Sequence, residues 1–143
     1  MNATLIIVTY KTGSVLGECL AAAGRAEGVG DIVIVDNGNP AAESETIDAF
    51  AAQNSKVHIV RGQGNVGFAK ACNLGVAQAR GDPLVFVNPD VVLNLDAIAG
   101  ITAALGAAPP PAVVGGDLRD DEGRPERGSR RERLTSWRAS WQS

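Results

Sequence analysis

Four short apolar runs constrain what this chain can become: Leu5-Ile6-Ile7-Val8, Ile32-Val33-Ile34-Val35, Val57-His58-Ile59-Val60 and Leu84-Val85-Phe86-Val87. Each is rich in β-branched residues and none alternates strictly between apolar and polar. That pattern suits strands covered on both faces, as in a parallel sheet. A weaker run, Ala112-Val113-Val114, is expected to add a fifth strand. Helical stretches are expected between the runs. Residues 13–26 are rich in Ala and Leu, and 41–53 follow Pro40, which favours a helix start. Residues 66–80 set Val66, Ala69, Cys72 and Val76 along one face, and 95–107 stop before Pro109-Pro110-Pro111, which cannot continue a helix. The order βαβαβαβαβ with right-handed crossovers predicts an α/β fold, a three-layer sandwich around a mostly parallel sheet.

Composition fits one globular domain. The chain has 143 residues, 45% hydrophobic and 20% charged, enough for an ordinary core and too apolar for global disorder. A formal net charge of −3 argues against a nucleic-acid partner. No apolar run reaches the roughly 18 residues of a membrane span. Met1-Asn2-Ala3-Thr4 lacks the features of a secretory leader. Cys19 and Cys72 are too few for a disulfide framework, so a reduced, cytoplasmic setting is expected.

Charge divides the chain. Residues 1–118 hold 6 basic and 11 acidic groups, and residues 119–143 hold 7 and 5. The first stretch is read as the α/β domain. The second is read as an arginine-rich segment: a polar turn over 119–125, a solvated stretch at 127–131, and a short helix with Leu134, Trp137 and Trp141 on one face.

Ligands of open α/β sheets bind beyond the carboxyl ends of the strands. The polar residues collect there in this sequence. Run one leads into Thr9-Tyr10-Lys11, run two into Asp36-Asn37-Gly38, run three into Gly62-Gln63-Gly64-Asn65-Val66-Gly67, and run four into Asn88-Pro89-Asp90. Any one of these is ordinary turn chemistry. Four together predict a site. Gly62, Gly64 and Gly67 match G-x-G-x-x-G, which opens a dinucleotide (NAD-type) reading. In such domains, however, the fingerprint occupies the first βα turn, not the third. The alternative is a loop that needs positive φ at Gly64 or Gly67. His58 has no partner at ligand spacing, and Lys70 reads as a solvated helix cation.

Taken in order, Ile7-Val8-Thr9-Tyr10, Ile34-Val35-Asp36-Asn37-Gly38, the stretch from Gly64 to Gly75, and Phe86-Val87-Asn88-Pro89-Asp90-Val91 resemble the N-terminal, donor-binding half of a family 2 glycosyltransferase with the GT-A fold. The Asn-Pro-Asp form, with Gly115-Gly116 and Asp121-Glu122-Gly123-Arg124 further on, is similar to rhamnosyltransferase-like members, which take a deoxythymidine diphosphate sugar. The resemblance implies a nucleoside-diphosphate-sugar donor (dTDP or UDP) and inverting transfer to a saccharide or lipid-linked acceptor. It also implies a divalent cation, Mg²⁺ or Mn²⁺. Tyr10 would stack on the base and Thr9 would bond its edge. Asp36 would accept a base N–H. Asn65 and the Gly67 backbone would approach ribose or pyrophosphate. Asp90 would bind the metal, with Asn88 offering a neutral oxygen where the family pattern has a carboxylate. Three alternatives stay open: Tyr10 as a half-buried strand end, Asp36 as an acceptor for turn amides, and Asp90 as a helix cap.

An inverting transferase needs a general base opposite the leaving group. In the resembled family it comes from the second half, and no residue here matches it. The expectations are therefore a transferase fragment, a non-catalytic nucleotide-sugar-binding or assembly module, or a site completed by a homo-oligomeric or other partner. Trp137 and Trp141 are candidates to cover an exposed sheet face. A lipid-linked acceptor would put the chain at the inner face of the membrane.

Overall fold

The computed structural model describes residues 2–120 and 122–126. The elements alternate as expected: β1 (Ala3–Thr9), α1 (Val15–Arg25), β2 (Val29–Asp36), α2 (Ala41–Ala52), β3 (Val57–Val60), α3 (Phe68–Val76), β4 (Leu84–Val87) and α4 (Ala97–Ala107). The four strands form one parallel sheet in the order β3-β2-β1-β4. Among the described residues, no helix is long and apolar enough to cross a membrane.

β1 and β2 are buried along nearly their whole length, with apolar centres, because both faces are covered. Leu5, Ile7, Ile32 and Ile34, with Val85 and Val87, pack against Leu16, Cys19 and Leu20 of α1, Ile47 of α2 and Ile98 of α4. Val8, Val33 and Val35 meet Ala71 of α3 on the other face. Full burial of each large aliphatic side chain stabilises the fold by about 1.5–3 kcal/mol. Sequence spacing pointed to Val66, Ala69, Cys72 and Val76 as the inner face of α3. The buried residues of the helix are instead Ala71 and Gly75. A Cβ on Gly75 would stand 2.6 Å from Ile6 Cγ2, so the small residues let the helix backbone close on the sheet.

Two expectations are corrected. Ala112-Val113-Val114 forms no strand, and Val113 is fully exposed. Three residues between three prolines and two glycines cannot sustain a ladder, since proline lacks the N–H. β4 is also not covered on both faces. Val85 and Val87 are buried, but Leu84 and Phe86 are exposed on the α3 side. Among the described residues β4 pairs with β1 alone and is a sheet edge. The polar turn is present, with Arg119 bridging Pro125 and Asp120 Oδ1 accepting from the Arg124 amide at 2.9 Å. Leu134, Trp137, Trp141 and the arginines from Arg127 onward lie outside the described residues.

The amino-terminal edge of the sheet is closed by its own polar cluster. Buried Asp31 accepts from Thr4 Oγ1 (3.2 Å) and the Arg80 amide (3.0 Å), and His58 Nε2 lies 3.1 Å from its other oxygen. The candidate site residues gather at the far edge. Gly75→Val would force three extra carbons between Ile6 and Val35, and is expected to lower unfolding stability by at least about 2 kcal/mol. Gly100→Ala in α4, with open space around it, is expected to raise stability by about 0.5–1 kcal/mol through helix propensity. Urea unfolding monitored by circular dichroism reads both.

Candidate functional site

β1 and β2 end level with each other, with Thr9 paired to Asp36. The loops leaving β1, β2, β3 and β4 enclose a cavity of about 620 Å³ beyond these strand ends. Tyr10, Lys11 and Thr12 supply one wall. Asn37, Asn65, Gly67 and Phe68 supply a second, and Asn88, Pro89 and Asp90 close the third. Five of the seven residues singled out in the sequence therefore share one cavity: Tyr10, Asn65, Gly67, Asn88 and Asp90.

Thr9 and Asp36 stand behind that wall. Thr9 is fully buried and its hydroxyl donates to Val35 O. Asp36 is 2% exposed. Its Oδ1 accepts from the Asn39 amide (3.0 Å) and Asn39 Nδ2 (2.8 Å). Its Oδ2 accepts from Ser44 Oγ (2.8 Å) and Arg61 Nε (2.7 Å). Burial alone would push this carboxyl up. The bonds from the Asn39 amide, Ser44, Arg61 and the Asn39 side chain outweigh it and hold the carboxyl below its ordinary range. Arg61 also bridges to Asp48, so Asp36 ties together the end of β3 and the first turns of α2.

Asn37 also lines the cavity and is not among those seven. It is buried, donates from Nδ2 to Asn65 Oδ1 (3.1 Å), and accepts the Val66 amide at Oδ1 (3.1 Å). The Gly67 amide also donates to Asn65 Oδ1 (3.0 Å). The Asn65 side chain, with the neighbouring Lys11 ammonium, holds the Tyr10 phenol below its ordinary value of 10.0. The only sequence signal for Asn37 is its place between Asp36 and Gly38. Gly62, Gly64 and Gly67 all have positive φ, as the loop alternative required. Gly67, at φ 82°, starts α3, whose N-terminus adjoins the cavity.

Tyr10 is 43% exposed and stands one residue past the end of β1. Asp90 does not cap α4; Asp96 occupies that position. Behind the β4 loop, Cys19 is buried and its thiol faces Asn88 O at 3.6 Å. Burial foremost, then the Asp90 charge, push that thiol up to about 11, so it stays protonated and packs as an apolar group. Among the described residues no group of three or more His, Cys, Asp or Glu could hold a metal. Asp90 and Asn88 are nonetheless a hard carboxylate and an amide oxygen on one cavity wall. Mg²⁺-type sites are commonly built from one or two such ligands, completed by water and substrate phosphates.

An open parallel sheet with a polar cavity beyond its carboxyl edge is the layout of the nucleotide-binding α/β class. Within it, the sequence pattern of Glycosyl transferase family 2 matches residues 4–142, and the chain belongs to that family. It is 25% identical over 120 residues to glycosyltransferase GlyG of Streptococcus pneumoniae, covering 83% of this chain and 40% of that protein. Its fold superposes on mannosyltransferase PcManGT of Pyrobaculum calidifontis in complex with GDP-Man and Mn²⁺. The TM-score there is 0.72 at 19% identity, over 83% of this chain and 36% of that one. It also superposes on S. aureus TarS 1-349 in complex with UDP-GlcNAc, with TM-score 0.65 and 19% identity over 75% of this chain and 32% of that one. The chain thus spans about two-fifths of the curated relative and about a third of these solved structures.

Two measurements test the geometry. Tyr10 is the only tyrosine, so an ultraviolet titration of tyrosinate reads it alone. It is expected to ionise below 10.0 in the folded protein and to move up in Asn65→Ala. Asp36→Asn is expected to cost about 2 kcal/mol at neutral pH, because hydrogen bonds to a buried charge are lost. A carboxyl whose folded pKa is depressed stabilises fully above its unfolded value of about 3.9. That stabilisation disappears as pH falls through the folded pKa. The difference between wild type and Asp36→Asn should therefore be constant from neutral pH down to about pH 5 and shrink below about pH 4. Denaturant unfolding across that range checks it.

Proposed function

We propose that this chain is the donor-binding part of a glycosyltransferase that takes a nucleoside-diphosphate sugar and passes the sugar, with inversion, to a saccharide or lipid-linked acceptor. One observation carries the reading: a phenol, three asparagine amides, glycine backbone and a single carboxylate line one cavity at the sheet's carboxyl edge. A nucleotide sugar presents matching groups. Exposed Tyr10 offers a flat face for the base. Asn65 and the Gly67 backbone can approach ribose or phosphate where a side chain would clash. Asn88 and Asp90 would hold a divalent cation bridging the diphosphate. When bound, that ion neutralises the charge gathering on the leaving group.

In this reading Asp36 serves the site from behind. Its bonds to Asn39 and Arg61 fix the turn that presents Asn37 and, through it, Asn65. Thr9 contributes through its backbone, since its carbonyl already receives the Asn37 amide (3.0 Å). The Asn88-Pro89-Asp90 form and the relation to rhamnosyltransferase-like sequences favour a deoxythymidine diphosphate donor, with UDP as the next expectation. Residues 1–118 carry this chemistry. The family membership and the relative spanned over two-fifths of its length support a division in which the acceptor and general base come from other residues.

Calorimetric titration with dTDP, UDP, GDP and NAD, each with and without Mn²⁺, tests the proposal. Binding of a nucleoside diphosphate that Mn²⁺ strengthens is expected, with Asp90→Ala weakening it about tenfold or more, as for loss of a charge-assisted contact. NAD binding that ignores metal would overturn the reading in favour of a dinucleotide site at Gly62, Gly64 and Gly67. Donor binding without transfer is the expected result for this chain alone, since in this reading the acceptor site and general base come from other residues.

A further inference from the structure

The cavity has a cation that the donor reading does not use. Lys11 lines it beside Tyr10, and among the described residues it is the only basic side chain on the wall, facing one carboxylate, Asp90. Its backbone has φ 50°, the only positive φ at a non-glycine position among the described residues. Side-chain-bearing residues take that conformation rarely, and they keep it where surrounding bonds enforce it. Here three do. The Lys11 amide donates to Asn39 Oδ1 (2.8 Å), and the next two amides, Thr12 and Gly13, donate to the Glu43 carboxylate at 2.8 and 3.3 Å. The fixed backbone leaves the ammonium 5.3 Å from the centre of the Tyr10 ring. No carboxylate within the described residues forms an ion pair with it. Next to it, the Thr12 hydroxyl is buried and has no hydrogen-bond partner among the described residues.

We infer that Lys11 is a binding residue for the phosphates of the donor, an ammonium held at the cavity wall by the Asn39 and Glu43 bonds to its own turn. The inference rests on the donor reading above and adds the source of charge. Asn88 leaves the β4 loop with one carboxylate instead of two, so Lys11 and Asp90 make the wall formally neutral before any ligand enters. A diphosphate then meets no net repulsion from the protein, and the ammonium provides charge-assisted hydrogen bonds to its oxygens. A surface lysine without this role would add nothing that depends on phosphate.

The test compares nucleosides with their diphosphates: uridine with UDP, thymidine with dTDP and guanosine with GDP, titrated into wild type, Lys11→Gln, Lys11→Arg and Lys11→Gly. Titrations are run with and without Mn²⁺, at low and high salt. The nucleoside that binds identifies the base, and its diphosphate reads Lys11. Lys11→Gln is expected to weaken the diphosphate about five- to tenfold, to leave the nucleoside within about twofold, and to flatten the salt dependence. Lys11→Arg should stay within about twofold of wild type. Lys11→Gly, which removes the ammonium and suits φ 50°, should match Lys11→Gln and covers the case in which glutamine disturbs the turn. Diphosphate affinity and salt dependence unchanged in both Lys11→Gln and Lys11→Gly, with the nucleoside still bound, would overturn the role of Lys11 and leave the donor reading standing. Absence of binding by every nucleoside and diphosphate would overturn the donor reading and this inference with it.

Discussion

The buried carboxylate of Asp36 is the interaction on which the rest of the site depends. A charge this deeply enclosed is tolerated only when its lone pairs are filled, and four donors from Asn39, Ser44 and Arg61 fill them. The three donor residues belong to different parts of the fold's carboxyl edge. Ser44 lies in α2, Arg61 follows β3, and Asn39 sits in the turn between β2 and α2. Asn39 then passes the constraint on, donating to Thr9 O and Thr9 Oγ1 and accepting the Lys11 amide. The first two βα turns are thereby locked to one another. The third joins through Asn37, which bonds both Asn65 and the Val66 amide.

The two edges of the sheet use the same device for different ends. At the amino edge, Asp31 gathers Thr4, Arg80 and His58 and closes the structure. At the carboxyl edge the buried acid organises turns whose own side chains stay partly open, with Tyr10, Lys11 and Asp90 exposed. A rigid rear wall and an accessible front are what a preorganised binding site requires, since little side-chain order is left to be lost when a ligand arrives.

Much of the fold was legible because its strands are short β-branched runs. Length and composition are enough to separate those from alanine-rich helices. What failed depended on partners distant in sequence. The inner face of α3 is small, not greasy, and Ala71 and Gly75 carry no hydrophobic signal until Ile6 and Val35 are known to lie beneath them. The same helix stops at Val76, short of the expected Arg80. The Arg80 and Gly81 amides are drawn off to Asp31 and Thr4, more than 40 positions away. That Tyr10, Asn65, Gly67, Asn88 and Asp90 would line one cavity was legible because strand-end polar residues in four turns converge by topology. The burial of Asp36 behind that cavity was not legible. A carboxylate that faces a ligand and one that faces inward look alike in sequence, and the difference lies with Arg61, 25 positions downstream. Asn37 is not among the seven for the same reason, since its value comes from Asn65.

Among the described residues one side of β4 is unpaired, which bears on how those residues behave on their own. A strand with a free row of amides and carbonyls, and with Leu84 and Phe86 open on one face, is a template for adding another strand. Phe68 and Val76 extend the exposed apolar surface of the neighbouring helix. For a preparation of these residues alone, the practical ceiling is therefore colloidal: self-association grows with protein concentration and with salts that strengthen apolar contact, independently of how firmly each molecule is folded.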